Sequence, residues 1–225
     1  MEIKDLEARI KELENKVSTM QDIEEINRLQ RSYGYYLEHW MSEEVIDCFS
    51  DSPETELNIM VGTYLGKEGV QRYFRGDKDR CVNPEFLHLI MPLSGVVDIA
   101  PDGKTAEGRW YGFGAGAIPV GKGVLQTLTG GIYACKYIKE GGKWKILKIT
   151  WNMAFNAPPG TGWVKPERVA AAIGEKPAPQ PRADKAREIN PVYPSGYIVP
   201  FHYPHPVTGR ETSEKKHNAD LKKEK

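Results

Sequence analysis

The chain has 225 residues, 28% charged and 40% hydrophobic, with 31 Lys and Arg against 31 Asp and Glu, the make-up of a globular protein with one main core. A balanced charge supplies no global field toward nucleic acid, an anionic membrane or an acidic substrate, so a local site has to choose any partner. The charged start Met1-Glu2-Ile3-Lys4-Asp5 and the lack of an apolar run near the ~20 residues of a membrane span give the expectation of a cytoplasmic protein.

Ile3, Leu6, Ile10, Leu13, Val17 and Met20 alternate spacings of three and four, with Glu and Lys filling most positions between them, which is a heptad stripe. It predicts an amphipathic helix over residues 1–21. Because it holds fewer than three full heptads, the helix is expected to dock on its own domain or on a neighbouring subunit. Asp22-Ile23-Glu24-Glu25 has the form of a capping box and predicts that a second helix restarts there and runs to about Trp40. Ile23, Ile26, Leu29, Tyr33, Tyr36 or Leu37, and Trp40 make its apolar face. A third short helix is predicted from Ser42, as its cap, to Phe49.

Beyond Asp51-Ser52-Pro53 the period changes. Glu56 to Tyr64 alternates like a strand, Gly66 turns the chain, and Lys67 to Arg75 reads as a short helix. Phe86 to Ile99, Thr105 to Gly114, Gly123 to Lys139 and Lys143 to Asn156 are rich in Val, Ile, Tyr, Trp and Thr. Turns at Pro101-Asp102-Gly103-Lys104 and Glu140-Gly141-Gly142-Lys143 help to separate these strands. Helices first and an antiparallel meander after them define an α+β pocket domain over residues 22–157. Residues 158–225 form a Pro-rich arm and a charged tail, since eleven of the sixteen prolines follow Asn156. Within it, Pro166 to Ile173 is a short helix candidate. The aromatic segment with Tyr193, Tyr197, Phe201 and Tyr203 is expected to pack across the domain or its neighbour as a lid, and Glu211 to Lys225 to fray. Cys48, Cys81 and Cys135, odd in number and without a Cys-x-x-Cys, read as buried free thiols.

Asp22-Ile23-Glu24-Glu25-Ile26 leading into Tyr33, the Leu37-Glu38 step, Thr105-Ala106-Glu107-Gly108-Arg109-Trp110-Tyr111, and Gly131 followed by Tyr133, Tyr137 and Gly142-Lys143-Trp144-Lys145-Ile146 together resemble the SnoaL-like branch of the nuclear transport factor 2-like superfamily. The resemblance covers roughly Asp22 to Asn156. It implies a cone-shaped α+β barrel, with a curved, mostly antiparallel sheet packed against N-terminal helices. It also implies a small-molecule site that mostly works without metal or organic cofactor, and a homo-oligomer, dimer or trimer. Relatives include scytalone and bile-acid dehydratases, polyketide cyclases and aromatic formaldehyde-lyases, and the fold alone does not choose among them. In the dehydratase branch a Tyr and an Asp of the long helix and a His of the sheet surround the substrate; the matching positions here are Tyr33, Glu38 and His88. Where that branch also has an acidic or His residue and an Arg, this chain has Gly114 and Met153, which implies a more apolar cavity.

His88 lies in Phe86-Leu87-His88-Leu89-Ile90-Met91 and is either a satisfied core histidine or a base, for which a neutral imidazole is suited. Glu38 is either a solvated helix charge or the group that orients the His88 ring. Tyr33 either packs or donates its phenol to a carbonyl or a departing hydroxyl. Arg109 shares a strand face with Tyr111 and Phe113 and either binds an oxyanion or forms a structural ion pair. Of Trp151 and Asn152, adjacent on a strand, only one can face the pocket, and Trp151 is the choice. His39, Trp40, Met60, Tyr111 and Tyr133 are further lining candidates, or plain core. His202-Tyr203-Pro204-His205 makes a poor zinc set, and no metal site is expected. The leading expectation is a cofactor-independent lyase that removes water or formaldehyde from a hydroxylated aromatic or polycyclic molecule. A ligand-binding or assembly module and an isomerase or cyclase are the alternatives.

Overall fold

The computed structural model describes residues 3–76, 80, 83, 85–160, 181–185, 200, 202, 211 and 214–221. Its first element, α1 (Ile3–Glu38), is a single helix of 36 residues, so the restart expected at Asp22 does not occur. The Asp22 carboxylate has better partners than a first-turn amide: it accepts from Lys139 Nζ at 2.5 Å and from Trp144 Nε1 at 2.8 Å. Burial pushes the Asp22 pKa up, but these donors more than offset it and leave the group below its ordinary value. The helix is thereby tied to the sheet at its midpoint.

After α1 comes α2 (Ser42–Asp47). Ser42 does not cap it; its hydroxyl instead donates to the Phe74 carbonyl at 2.8 Å. The single strand expected over Glu56 to Tyr64 is a hairpin of β1 (Glu56–Ile59) and β2 (Gly62–Leu65). The chain reverses at Met60-Val61, and Gly62 has a φ of 139° that side chains rarely adopt. α3 (Gly66–Arg75) follows, then β3 (Leu87–Ile99), β4 (Thr105–Val120), β5 (Gly123–Glu140) and β6 (Lys143–Ala157). The tail beyond Glu211, expected to fray, holds a last helix, α4 (Glu214–Leu221).

The six strands lie in the order β2-β1-β6-β5-β4-β3. β1 runs parallel to β6 and every other neighbour is antiparallel. The inner face carries Ala106, Trp110, Tyr133, Cys135, Tyr137, Ile149 and Trp151, and α1 lays Ile26, Gln30, Tyr33 and Leu37 against it. The spacing of four, three and four keeps these helix residues on one side. Trp110 Nε1 donates to Tyr137 Oη at 3.0 Å, and Tyr137 Oη donates to Gln30 Oε1 at 2.8 Å, which gives the buried amide oxygen a partner.

Curvature comes from a bulge in β3 between Leu93 and Val96, where Ser94 is left-handed at φ 49°. Any side chain at Gly95 would start 2.2 Å from the Trp110 ring; the strand bends over that indole only because the position is glycine. α1 approaches β3 just as closely, since a Cβ at Gly34 would stand 2.7 Å from Pro92. The result is a cone-shaped α+β fold whose inner face is almost entirely aromatic and aliphatic.

Part of the tail closes the sheet edge. Thr63 pairs with Lys185 in an antiparallel bridge, Tyr64 Oη donates to the Pro181 carbonyl at 2.7 Å, and Arg72 meets Asp184 at 2.8 Å. A paired edge no longer invites a foreign strand. Cys81, the Pro166 to Ile173 helix, His205 and the aromatic segment apart from Pro200 and His202 lie outside the described residues.

Candidate active site

Strand alternation decides what enters the cone. His88, Ile90 and Pro92 of β3 pair with Gly116, Gly114 and Gly112 of β4. A run of glycines therefore lies beside the His88 strand; Gly114 lets the two strands approach, since a Cβ there would stand 1.6 Å from the Leu89 carbonyl oxygen, and Gly112 leaves room for a large ring. The Trp151 indole occupies part of that room, 2.3 Å from where a Cβ of Gly112 would be.

The most unusual backbone in the region belongs to Trp40. Its amide bonds the Leu37 carbonyl at 3.0 Å and the Met41 amide bonds the Tyr36 carbonyl at 2.9 Å, the paired bonds that end a helix through a left-handed residue. That residue is usually glycine; here it is Trp40, with φ 51°, at a cost of about 1–3 kcal/mol. The return is the placement of a buried indole. It donates from Nε1 to the Phe74 carbonyl at 3.2 Å and stands 5.4–5.9 Å from the rings of Phe74, Phe86, Tyr73 and His88.

His88 stands against this indole with its Nδ1 buried and accepting no hydrogen bond from the described residues. Burial drives its pKa down to about 4, the charge of Arg80 adds to the effect, and a bond with its own backbone opposes it. The ring is neutral throughout the physiological range. The Arg80 guanidinium lies over Trp40 at 4.4 Å and over Phe86 at 5.5 Å, and it donates to the Tyr73 phenol.

Tyr33, Tyr73 and Tyr133 form a second, contiguous layer. Burial pushes all three phenols up, Tyr73 to about 12 even with Arg80 opposing, and the Tyr33 pKa is raised further by Tyr133 and Tyr73. All three keep their protons at neutral pH and can donate them in hydrogen bonds. Tyr133 also packs on Trp151 with ring centroids 4.5 Å apart.

Of the residues expected from sequence, the fold places Tyr33, Trp40, His88, Tyr133 and Trp151 on the inner side. Glu38 does not share the helix face of Tyr33. Five residues past Tyr33 it is rotated by about 140° around the helix, and its carboxylate faces His39 at 3.8 Å on the rim, where the His39 ring is mostly exposed. Arg109 and Tyr111 stand on the opposite face of β4, because Trp110 between them takes the inner position. Tyr111 is 61% exposed, and Arg109 donates to the Pro200 carbonyl at 2.9 Å. Asn152 pairs with Ile132, which in turn pairs with Tyr111, so it too faces outward. Met60 sits in the β1–β2 turn, partly buried against the core.

Sequence alone does not single out Tyr73 and Arg80. Val70 and Phe74 mark a buried helix face on which Tyr73 sits, a signal that could have found it; nothing local distinguishes Arg80 from the charges around it. Among the described residues no three His, Cys, Asp or Glu side chains converge to hold a metal ion. His202, in the segment expected to act as a lid, lies 3.1 Å from Asp98 on the outer face.

The SnoaL-like domain model matches residues 18–150. Among curated proteins no relative matches. Among solved structures, a provisionally assigned scytalone dehydratase from Novosphingobium aromaticivorans is 15% identical with a TM-score of 0.54, over 64% of this chain and 91% of that one. A provisionally assigned aromatic ring hydroxylase from the same organism is 19% identical with a TM-score of 0.52, over 62% and 94%. A hexachlorocyclohexane dehydrochlorinase, LinA type 2, is 17% identical with a TM-score of 0.50, over 67% and 98%. At these identities the likeness is one of fold.

Proposed function

The chain belongs to the SnoaL-like domain family, and from that premise we propose that it is a lyase, working without a cofactor, that eliminates water or formaldehyde from a hydroxylated aromatic or polycyclic molecule. The observation that carries the reading is His88: a neutral imidazole with an enclosed nitrogen, set on the inner face against the Trp40 indole, which the Tyr73 ring also packs on. Two of the structural neighbours are named for eliminations, a dehydratase and a dehydrochlorinase, which supports the class.

A base whose conjugate acid has a pKa near 4 removes only an activated proton, such as one beside a carbonyl or conjugated with a phenol. That requirement favours an aromatic or carbonyl-bearing substrate, which the flat walls of Trp40, Tyr133 and Trp151 suit. The same low pKa makes the imidazolium a strong acid. It returns its proton to the departing oxygen, so one ring acts first as base and then as acid. In loss of water, the C–H pair becomes the new double bond and hydroxide leaves as water. In loss of formaldehyde, the base takes the hydroxymethyl O–H proton and the C–C bond breaks. Its electron pair then enters a conjugated carbonyl or expels a neighbouring hydroxyl. Tyr33 and Tyr73 hold the oxygen on which negative charge grows. Glu38 and Arg109, facing the rim and the outer surface, take no part in the step.

The reading is tested with hydroxylated diaryl compounds that carry an alcohol or hydroxymethyl group next to the activated carbon. The expected result is release of water with an olefin, or of formaldehyde with an olefin where a neighbouring hydroxyl is expelled and with the shortened carbonyl compound where the electron pair enters a carbonyl. A rearranged product with nothing released, or binding with no turnover across the series, would overturn it.

A further inference from the structure

Every residue of α1 from Ile3 to Gln21 is exposed; burial on the domain begins only at Asp22. The first five turns therefore extend about 28 Å from the body of the protein. Ile3, Leu6, Ile10, Leu13, Val17 and Met20 are 41–75% exposed there. A helix of this length is marginal alone in water, and this one carries an apolar stripe along its whole free length. The domain does not cover the stripe, contrary to one of the two expectations from its spacing.

The remaining covering partner can be read from the heptad. The a positions are Ile3, Ile10 and Val17, and the d positions are Leu6, Leu13 and Met20. β-Branched residues at a with unbranched or γ-branched residues at d favour two parallel strands over three or four. The flanking charges select the same arrangement. The e positions are Glu7, Glu14 and Gln21, whereas the g positions within the stripe are Arg9 and Lys16. In a parallel pair each g faces the next e of the other helix, so Arg9 meets Glu14 and Lys16 meets Gln21, while Glu2, just ahead of the stripe, meets Glu7 as one like-charged pair at the end. In an antiparallel pair of full overlap e faces e and g faces g, which sets Glu7 against Glu14 and Arg9 against Lys16. Arg9 already has a partner of its own and Lys16 bonds Glu12 of its own helix at 2.5 Å, but all of these side chains lie on the exposed length of the helix, and such pairs exchange partners at little cost.

We infer that residues 3–21 of two copies of this chain zip into a parallel two-stranded coiled coil, which holds two SnoaL-like domains side by side with both cones pointing away from the same end of the coil. The second copy is the occupant because Arg9 and Glu14 of two identical helices complement each other twice across a parallel pair, whereas an antiparallel pair of full overlap sets like charges together.

Sedimentation equilibrium of the full-length protein is the test. The expected particle is a dimer. The double variant Ile10→Lys/Leu13→Glu changes only side chains that do not touch the domain, and it is expected to sediment as a monomer with an unchanged near-ultraviolet circular dichroism spectrum. Arg9→Glu is expected to weaken association roughly fivefold to tenfold, and Arg9→Glu/Glu14→Arg to restore it. Leu6→Cys is expected to give a covalent dimer on oxidation, which the wild type does not, since only a parallel coil brings two copies of residue 6 together. A monomeric wild type, a trimer, a dimer that survives the double variant, or no cross-link in the Leu6→Cys variant would each overturn the inference.

Discussion

At the scale of single residues, His88 and Trp40 depend on each other. Trp40 accepts a left-handed backbone that glycine would take without strain, and its indole makes the dry wall that keeps His88 neutral. The titration has a consequence for stability that can be measured without a substrate. Folding lowers the His88 pKa from 6.5 to about 4, so as pH falls through 6.5 the unfolded chain binds a proton that the folded chain does not. Stability is fully present above pH 6.5 and declines toward pH 4, by on the order of 2 kcal/mol. Urea midpoints at pH 7.5 and 4.5 check this. His88→Gln should lose most of the difference, whereas an unchanged difference in that variant would mean that His88 is not the group. Asp22, whose pKa is below 3.8, adds its own loss only at lower pH.

The Glu38 and Arg109 placements show what a sequence pattern leaves open at this scale. Alternation correctly puts Arg109, Tyr111 and Phe113 on one face of β4. It does not say which face, because Trp110 between them is aromatic as well, and only packing against Tyr137 and α1 decides. For Glu38, the spacing of five from Tyr33 already argues against a shared face, and the helix keeps that geometry to its end.

At the scale of elements, most helices and strands were legible from their periods because each buries one face of ordinary length. What escaped was decided by partners far away in the chain. A capping-box pattern at Asp22 looks the same whether the carboxylate caps its own helix or reaches Lys139 and Trp144, more than a hundred residues later. The β1–β2 reversal at Met60-Val61 contains no usual turn residue, and only Gly62 signals it. The Asp22 bridge is the main polar tie between α1 and the β5–β6 hairpin, so Asp22→Asn is predicted to lower the unfolding free energy by about 2–3 kcal/mol at pH 7. Glu24→Gln, on the exposed side of the same helix, should change it by less than about 0.5 kcal/mol. Equal effects in urea titrations would remove the bridge from the account.

At the scale of the whole molecule, the chain is a SnoaL-like cone with two additions. A helix leaves it bare at one end, and a tail segment at Pro181 to Lys185 closes the β2 edge. The cone was readable from sequence because its long strands and turn signals are local; the reach of the tail was not, since proline-rich segments carry no period. The inner site differs from the sequence expectation in composition more than in position, with the charge of Arg80 acting on His88 and Tyr73 packed on the same Trp40 indole. The proposed chemistry rests on His88 as the proton-transfer group. Its most direct test is the turnover of His88→Gln on a substrate that the wild type converts, with folding checked by circular dichroism and affinity by titration. The predicted result is turnover lowered roughly 10²–10⁴-fold with affinity within a fewfold of wild type, and turnover at the wild-type rate would contradict it.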